Sequence, residues 1–329
     1  MKLGTLSLEN NLILAPLLDI TTSPYRRFCR KLNKVGLVSV PMLYTKRIEK
    51  NPRSIEQYLH KIEEERPVSI QLIGSNGLAL KKSIDFLSSY KFDILDINAG
   101  CPSKRAIRAK EGGYLLKDLD LLNSILNIAV KYSSQPVSLK IRTGFTHNDN
   151  LREIIQSLKN SGISYLIIHG RSIQAKFNGS MLNLDAIKEM KNSLNIPIIG
   201  NGDIDNPIFA KEFLDYTNVD ALMIGRGSMG NPEIFKQVDE FLTNSKLVKF
   251  ENNLHKWKDF GNIYESCIDD YLKDNPNLLY CAEEYKFREL KRNMIWLTKG
   301  INDSVNIRVK IARTKNLYDL KEKLAEIYV

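Results

Sequence analysis

Eight short apolar runs recur between residue 11 and about residue 241, each followed by an amphipathic stretch. The runs fall at 12–15, 37–40, 68–72, 94–97, 137–141, 165–168, 196–199 and 221–224. A short run without polar alternation marks a strand buried on both faces, as in a parallel sheet. The stretches between them carry helical apolar spacing, for example at 78–90, 121–132, 150–160 and 207–216. Asn51, Asn206 and Asn231 each stand directly before a proline, which is a helix-start signal. Eight strand–helix units of this size predict a closed (β/α)8 TIM barrel. An open doubly wound sheet is the alternative, but no glycine fingerprint follows the first run.

Past Leu242 the strand signal stops. Helical spacing covers 251–273 and 277–299, and a last helix is expected over 317–328. The fold class is therefore α/β, with a barrel over 1–242 and a small all-helical C-terminal domain over 243–329, joined by a linker near 243–250. No repeat or low-complexity tract interrupts the chain.

The four cysteines (29, 101, 267 and 281) show no paired spacing. They predict a reducing compartment and neither a disulfide frame nor a structural zinc. The four histidines have no metal-ligand spacing, so no metal is expected. No signal layout or membrane-length apolar run is present, which predicts a cytoplasmic protein with no membrane partner. A monomer is the default expectation. The formal net charge of +10 suits a polyanion partner, although a basic soluble enzyme would look the same. Clustering sharpens the point. From Lys286 to Lys315 nine Lys/Arg face two acids, Glu289 and Asp303, with Tyr285 and Trp296 among them. Phosphate neutralisation with base stacking would use such a segment, and so would a solvated helix face.

The chemistry is expected at the ends of the strands. Asn98-Ala99-Gly100-Cys101-Pro102-Ser103-Lys104 follows the fourth run. Gly100 lets the backbone bend there and Pro102 fixes φ. Lys104, Arg105, Arg108, Lys110 and Lys117 follow, which places a reactive thiol beside an anionic visitor; a buried inert cysteine is the bland alternative. Gly200-Asn201-Gly202-Asp203 follows the seventh run and Gly225-Arg226-Gly227 the eighth. Glycine loops after these two strands make the usual phosphate site of this barrel. FMN fits such a site, and so would a phosphorylated sugar or indole. Gln71, Asn98, Lys140, Arg142, His169 and Arg171 close other strands, and an amide, a lysine and a histidine over an apolar floor suit a flavin ring.

These motifs resemble those of the tRNA-dihydrouridine synthases, FMN enzymes that use NADPH to reduce uridines in tRNA. The resemblance rests on Leu14-Ala15-Pro16, Gln71-Leu72-Ile73-Gly74, the stretch from Asp96 to Pro102, and Gly112-Gly113 with Leu115-Leu116-Lys117-Asp118. It rests also on Lys140-Ile141-Arg142-Thr143-Gly144, Ile168-His169-Gly170-Arg171, Asn201-Gly202-Asp203-Ile204 and the stretch from Gly225 to Pro232. It is strong over about 1–240 and looser in the helical tail. It implies that Pro16, Leu17, Leu18, Gln71, Lys140, His169, Asn201, Gly202, Asp203, Gly225 and Arg226 bind FMN. Cys101 would be the catalytic acid and Lys140 would assist it. Asn98, Arg142, Arg171, Lys104, Arg105, Arg288, Lys291 and Arg292 would meet the RNA substrate. The chain departs from the family pattern at Leu17-Leu18-Asp19, at Thr22, at Pro41-Met42 and at Asn293.

The resemblance implies hydride transfer from reduced FMN to uracil C6 and protonation of C5 by the Cys101 thiol, with the basic residues after Cys101 aimed at RNA rather than at sulfur. A flipped-out base is required for that chemistry. Two rivals stand beside it. A small-molecule pyrimidine dehydrogenase of the dihydroorotate dehydrogenase type would share the phosphate loops without needing the basic tail. An RNA-binding factor on an inactive barrel would need Cys101 or Lys140 to be lost.

Overall fold

A computed structural model describes residues 2–276 and 281–328. All eight apolar runs form the parallel strands of one ring: β1 (Leu12–Leu14), β2 (Val38–Ser39), β3 (Val68–Ile73), β4 (Ile94–Ala99), β5 (Val137–Arg142), β6 (Tyr165–His169), β7 (Ile198–Asn201) and β8 (Ala221–Ile224). β1 pairs with β8, and a parallel bridge between Ile13 and Leu37 closes the ring toward β2. An extra short strand, Leu43–Tyr44, adds to β3 at the rim.

Period-two alternation divides each strand between two cores. One set packs the barrel interior: Ile13, Ile94, Tyr165, Ile167, Ile199, Ala221 and Met223. Leu3 and Leu8 join this set from the N-terminal hairpin (Lys2–Leu3 with Leu6–Ser7), which stops the barrel floor. The neighbouring strand residues Leu14, Leu95, Leu139, Leu166, Ile168, Ile198 and Leu222 face the surrounding helices. Continuing the inward set toward the C-terminal ends gives Gln71, Asn98, Lys140, His169 and Asn201, so the alternation that buries the core also delivers the polar residues to the mouth.

The helices include α1 (Ser23–Leu32), α2 (Gly77–Leu87), α3 (Leu119–Tyr132), α4 (Leu151–Leu158), α5 (Leu184–Ser193), α6 (Pro207–Thr217) and α7 (Ile234–Asn244). Asn206 caps α6 as expected, its Oδ1 accepting from the Phe209 amide at 2.9 Å. Asn231 does not cap: its side chain donates to Gln237 Oε1 at 2.7 Å, and α7 starts three residues later. Asn51 makes no side-chain cap either.

Four helices follow: α8 (Leu254–Asp274), α9 (Ala282–Trp296), α10 (Ser304–Arg313) and α11 (Leu317–Tyr328). The helical spacing at 277–280 lies outside the described residues. The stretch at 245–253 that joins α7 to α8 is irregular. The helical region shares the outer core of the barrel. Phe28 on α1 meets Tyr264 edge-on at 5.2 Å and Phe260 at 6.2 Å. Buried Glu289 on α9 accepts from Thr22 Oγ1 at 3.1 Å and from the Tyr264 hydroxyl at 2.5 Å, and it pairs with Arg292. Arg27 of α1 reaches Asp274 of α8 at 3.0 Å.

Candidate active site

A cavity of about 490 Å³ opens at the C-terminal ends of the strands. Of the sequence-expected residues, it brings together Pro16, Leu17, Leu18, Gln71, Asn98, Cys101, Lys140, Arg142, His169, Asn201, Asp203, Gly225 and Arg226. Met42, Phe177, Asp205 and Lys299 also line it. Gly202 and Arg171 do not.

The cysteine loop is held by a chain of side chains that starts inside the barrel. Asp96 accepts from Ser138 Oγ at 2.7 Å and from Gln71 Nε2 at 2.6 Å. Gln71 Oε1 then accepts from Asn98 Nδ2 at 2.8 Å. Asn98 Oδ1 in turn accepts from the backbone amides of Gly100 at 3.1 Å and Cys101 at 2.9 Å. Behind the loop runs the Gly112-Gly113 segment. A Cβ on Gly112, at φ +59°, would sit 3.0 Å from Cys101 Cβ, and one on Gly113 would lie 2.8 Å from the Cys101 carbonyl. Only glycine lets this segment lie so close.

Across the cavity, Lys140 Nζ donates to Asn201 Oδ1 at 3.3 Å. Burial, reinforced by Arg142, lowers the ammonium to about 8, while burial raises the Asp96 carboxyl to about 6. Arg142 joins two loops rather than projecting freely. Its guanidinium donates to Gly100 O at 3.1 Å, Ser172 O at 3.0 Å and Lys176 O at 2.6 Å, and burial lowers it to about 10.

Arg171, expected at the substrate, is fully buried. It forks onto Asp203, with one contact at 3.0 Å, and onto the Asn178 and Gly179 carbonyls. Arg226 also binds Asp203, at 3.0 Å. Asp203 lies at φ +48° and is kept ionised by Arg171, so the two phosphate-type loops are tied together. Phe177 stands exposed at the mouth between two guanidinium groups, 5.4 Å from Arg142 and 4.7 Å from Arg226.

His169 sits at 8 % exposure, and its Nδ1 has no hydrogen-bond partner among the described residues. Burial first, then Lys140, Arg142, Arg171 and Arg226, hold the imidazole far below its ordinary range and therefore neutral. A Cβ on Gly225 would lie beside Ala15 and Leu17 and fill part of the cavity wall. An unpaired buried donor or acceptor, a surplus of cations and a wall kept bare by glycine fit an anionic, planar cofactor with polar edges.

Lys104 is exposed, Arg105 lies over the Tyr44 ring at 4.5 Å, and Lys117 lies over Phe145 at 4.1 Å. In the helical region the excess of seven positive charges is partly answered by acids outside the counted stretch. Lys286 pairs with Glu265 and Asp269 of α8. Lys291 donates to the Thr314 carbonyl at 2.6 Å, Arg292 binds Glu289, and Arg288 approaches Glu284 at 3.9 Å. Tyr285, expected as a stacking surface, is buried on Tyr271 with ring centroids 5.2 Å apart. Trp296 carries Arg292 over its ring at 5.6 Å.

Sequence reasoning missed the partners of Asp96, although a charged residue inside an apolar run is itself a signal. Phe177 lies on irregular backbone where no periodicity marks it, and Lys299 lies in the turn that ends the stretch read as helical over 277–299. No group of three potential metal ligands occurs among the described residues, and no helix among them is long and apolar enough to cross a membrane.

A parallel eight-stranded barrel that gathers a cysteine, a lysine, a histidine and two glycine loops at its C-terminal mouth has the frame of a barrel enzyme. Its fold is shared with morphinone reductase (TM-score 0.53, 13% identity, 73% of this chain and 89% of that one). It is shared also with a 2-naphthoyl-CoA reductase complex (TM-score 0.56, 13% identity, 73% and 51%). Residues 13–328 match the dihydrouridine synthase family model. The tRNA-dihydrouridine synthase B of Pasteurella multocida is 39% identical over 249 residues, which are 75% of this chain and 74% of that protein. That of Escherichia coli K12 is 36% identical over 249 residues, 75% and 77% of the two chains. The chain belongs to the dihydrouridine synthase family and is a flavin-dependent oxidoreductase.

Proposed function

We propose that the protein is a tRNA-dihydrouridine synthase that holds FMN, takes its reducing equivalents from NADPH and saturates the C5=C6 bond of uridine in tRNA. One observation carries this reading: Cys101 shares a single cavity with Gln71, Lys140, His169 and Asn201 and with the Gly225-Arg226 loop. A proton donor, a polar cradle for a ring and an anion site thus meet in one space.

A bound flavin would supply hydride chemistry at uracil C6. Cys101 gives its thiol proton to C5, so hydride and proton together saturate the bond. The Asp96–Gln71–Asn98 chain fixes the loop that carries that thiol. Lys140 and neutral His169 bind the polar edge of the cofactor, and the lysine charge favours its anionic reduced form. Arg226 and the glycine loops hold the phosphate. Pro16, Leu17 and Leu18 form the apolar side. The RNA docks through exposed basic side chains, with Arg288 of the helical region and Lys104 beside the Cys101 loop among them, and the extruded base enters past Phe177. A monomer working in the cytoplasm fits this reading.

An absorbance experiment tests it. Yellow protein should bleach with NADPH in the absence of oxygen and regain its colour with unmodified tRNA. Recovery with orotate and none with tRNA would move the substrate to a small pyrimidine. Colourless protein that takes up no FMN would overturn the reading.

A further inference from the structure

Among the described residues of the helical region, Lys299 alone lines the cavity. It follows α9, where the chain turns at Gly300 with φ +85°, and its side chain is exposed. Its backbone is fixed from the irregular segment before α8: Asn252 Nδ2 donates to the Leu297 carbonyl at 2.6 Å and to the Lys299 carbonyl at 2.9 Å.

The stem of Lys299 crosses the loop after β8 at a place prepared for it. A Cβ built on Gly230 would stand 2.8 Å from Lys299 Cβ and 2.8 Å from Lys299 Cδ. Glycine at 230 thus leaves the groove through which the lysine reaches the cavity. Gly225, Arg226, Gly227 and Asp205, from the loops after β7 and β8, line the same cavity. The charge balance of that wall leaves work for a further cation. Arg226 is already paired with Asp203, which Arg171 also holds, so these three carry a net +1. Asp205 offsets that charge, and a phosphate dianion placed there would lack full compensation.

Resting on the flavin reading above, we propose that Lys299 binds the phosphate of the cofactor, so that the helical region completes the anion site of the barrel. The stem lies along the loop and the ammonium supplies the charge that the Asp203 triad leaves missing.

Flavin binding to the full-length chain, stripped of cofactor by dialysis, tests this without any turnover. FMN and riboflavin differ only by the phosphate, so each is titrated by quenching of flavin fluorescence. Lys299→Gln should weaken FMN about tenfold and leave riboflavin unchanged, and Lys299→Arg should keep most of the preference. The FMN affinity of the wild type should fall with added salt more steeply than that of Lys299→Gln. Gly230→Ala, which blocks the groove, should reproduce the selective loss. Unchanged FMN affinity in Lys299→Gln, or equal weakening of both flavins, would overturn the assignment. Wild-type protein that binds neither flavin would overturn the cofactor reading itself.

Discussion

The Gln71 amide donates to Asp96 at 2.6 Å and thereby turns its carbonyl toward Asn98, 2.8 Å away. The orientation of an amide at the cavity wall is thus decided by a carboxylate one strand over, at the paired position of β4. Asp96→Asn removes that decision. We expect a folded protein with bound flavin and turnover reduced about tenfold or more, because the Cys101 loop loses its fixed partner. The same variant carries a pH signature. Burial raises Asp96 to about 6, above its unfolded value. Between about 4 and 6 the native state therefore keeps a proton that the unfolded chain has lost, and stability falls as pH rises through this window. Asparagine abolishes that slope. The melting temperature of Asp96→Asn relative to wild type should climb over the window and then level off.

Lys140 presents the opposite case. Burial lowers its ammonium to about 8, so its charge leaves just above neutrality rather than near 10. Reoxidation of the reduced enzyme by tRNA should slow as pH rises through about 8. Lys140→Arg keeps its charge, so it should be slower throughout yet lose that alkaline limb. Stopped-flow absorbance across the neutral to alkaline range reads both.

Cys101→Ala touches the proton and little else. The loop is fixed through the backbone amide of residue 101, which alanine retains. Flavin uptake and reduction by NADPH should be unaffected, while product formation falls at least about 100-fold. Full dihydrouridine yield in digested tRNA from the variant would remove the acid from Cys101.

Glu289→Ala should destabilise the whole molecule. It strands the Arg292 guanidinium and leaves the Thr22 and Tyr264 hydroxyls without their shared acceptor. We expect a loss of about 3 kcal/mol. A urea midpoint lowered with an unchanged slope would show one cooperative unit spanning barrel and helices.

The barrel was legible because each strand is announced by an apolar run, and several are announced again by a polar residue near their C-terminal end. Gln71, Lys140, His169 and Asn201 stand at such ends, and the strand period carries them inward. Arg171 illustrates the limit. It also ends a strand motif, but whether a guanidinium faces a ligand or a carboxylate depends on Asp203, a residue of the next strand's loop. The basic count in the tail shows the same limit at Lys286, which finds its acids on α8. A linear window contains a residue's neighbours in sequence and omits its neighbours in space. Phe177 was invisible because irregular backbone has no period to betray which way a side chain points, and Lys299, at the end of a stretch with helical spacing, carried no sign that it reaches the cavity.

The buried seam at Glu289, Phe28 and Tyr264 makes the molecule a rigid gauge. A hinged arm could reach for many nucleotides and let flexibility absorb the difference. In the proposed docking the span from the outer helices to the Cys101 thiol is set by a continuous core, so an RNA bound there would have to bring one of its own positions to that fixed depth. Which uridine is reduced then becomes a question of matching lengths between two solid bodies, and small changes at the seam would shift the reading point.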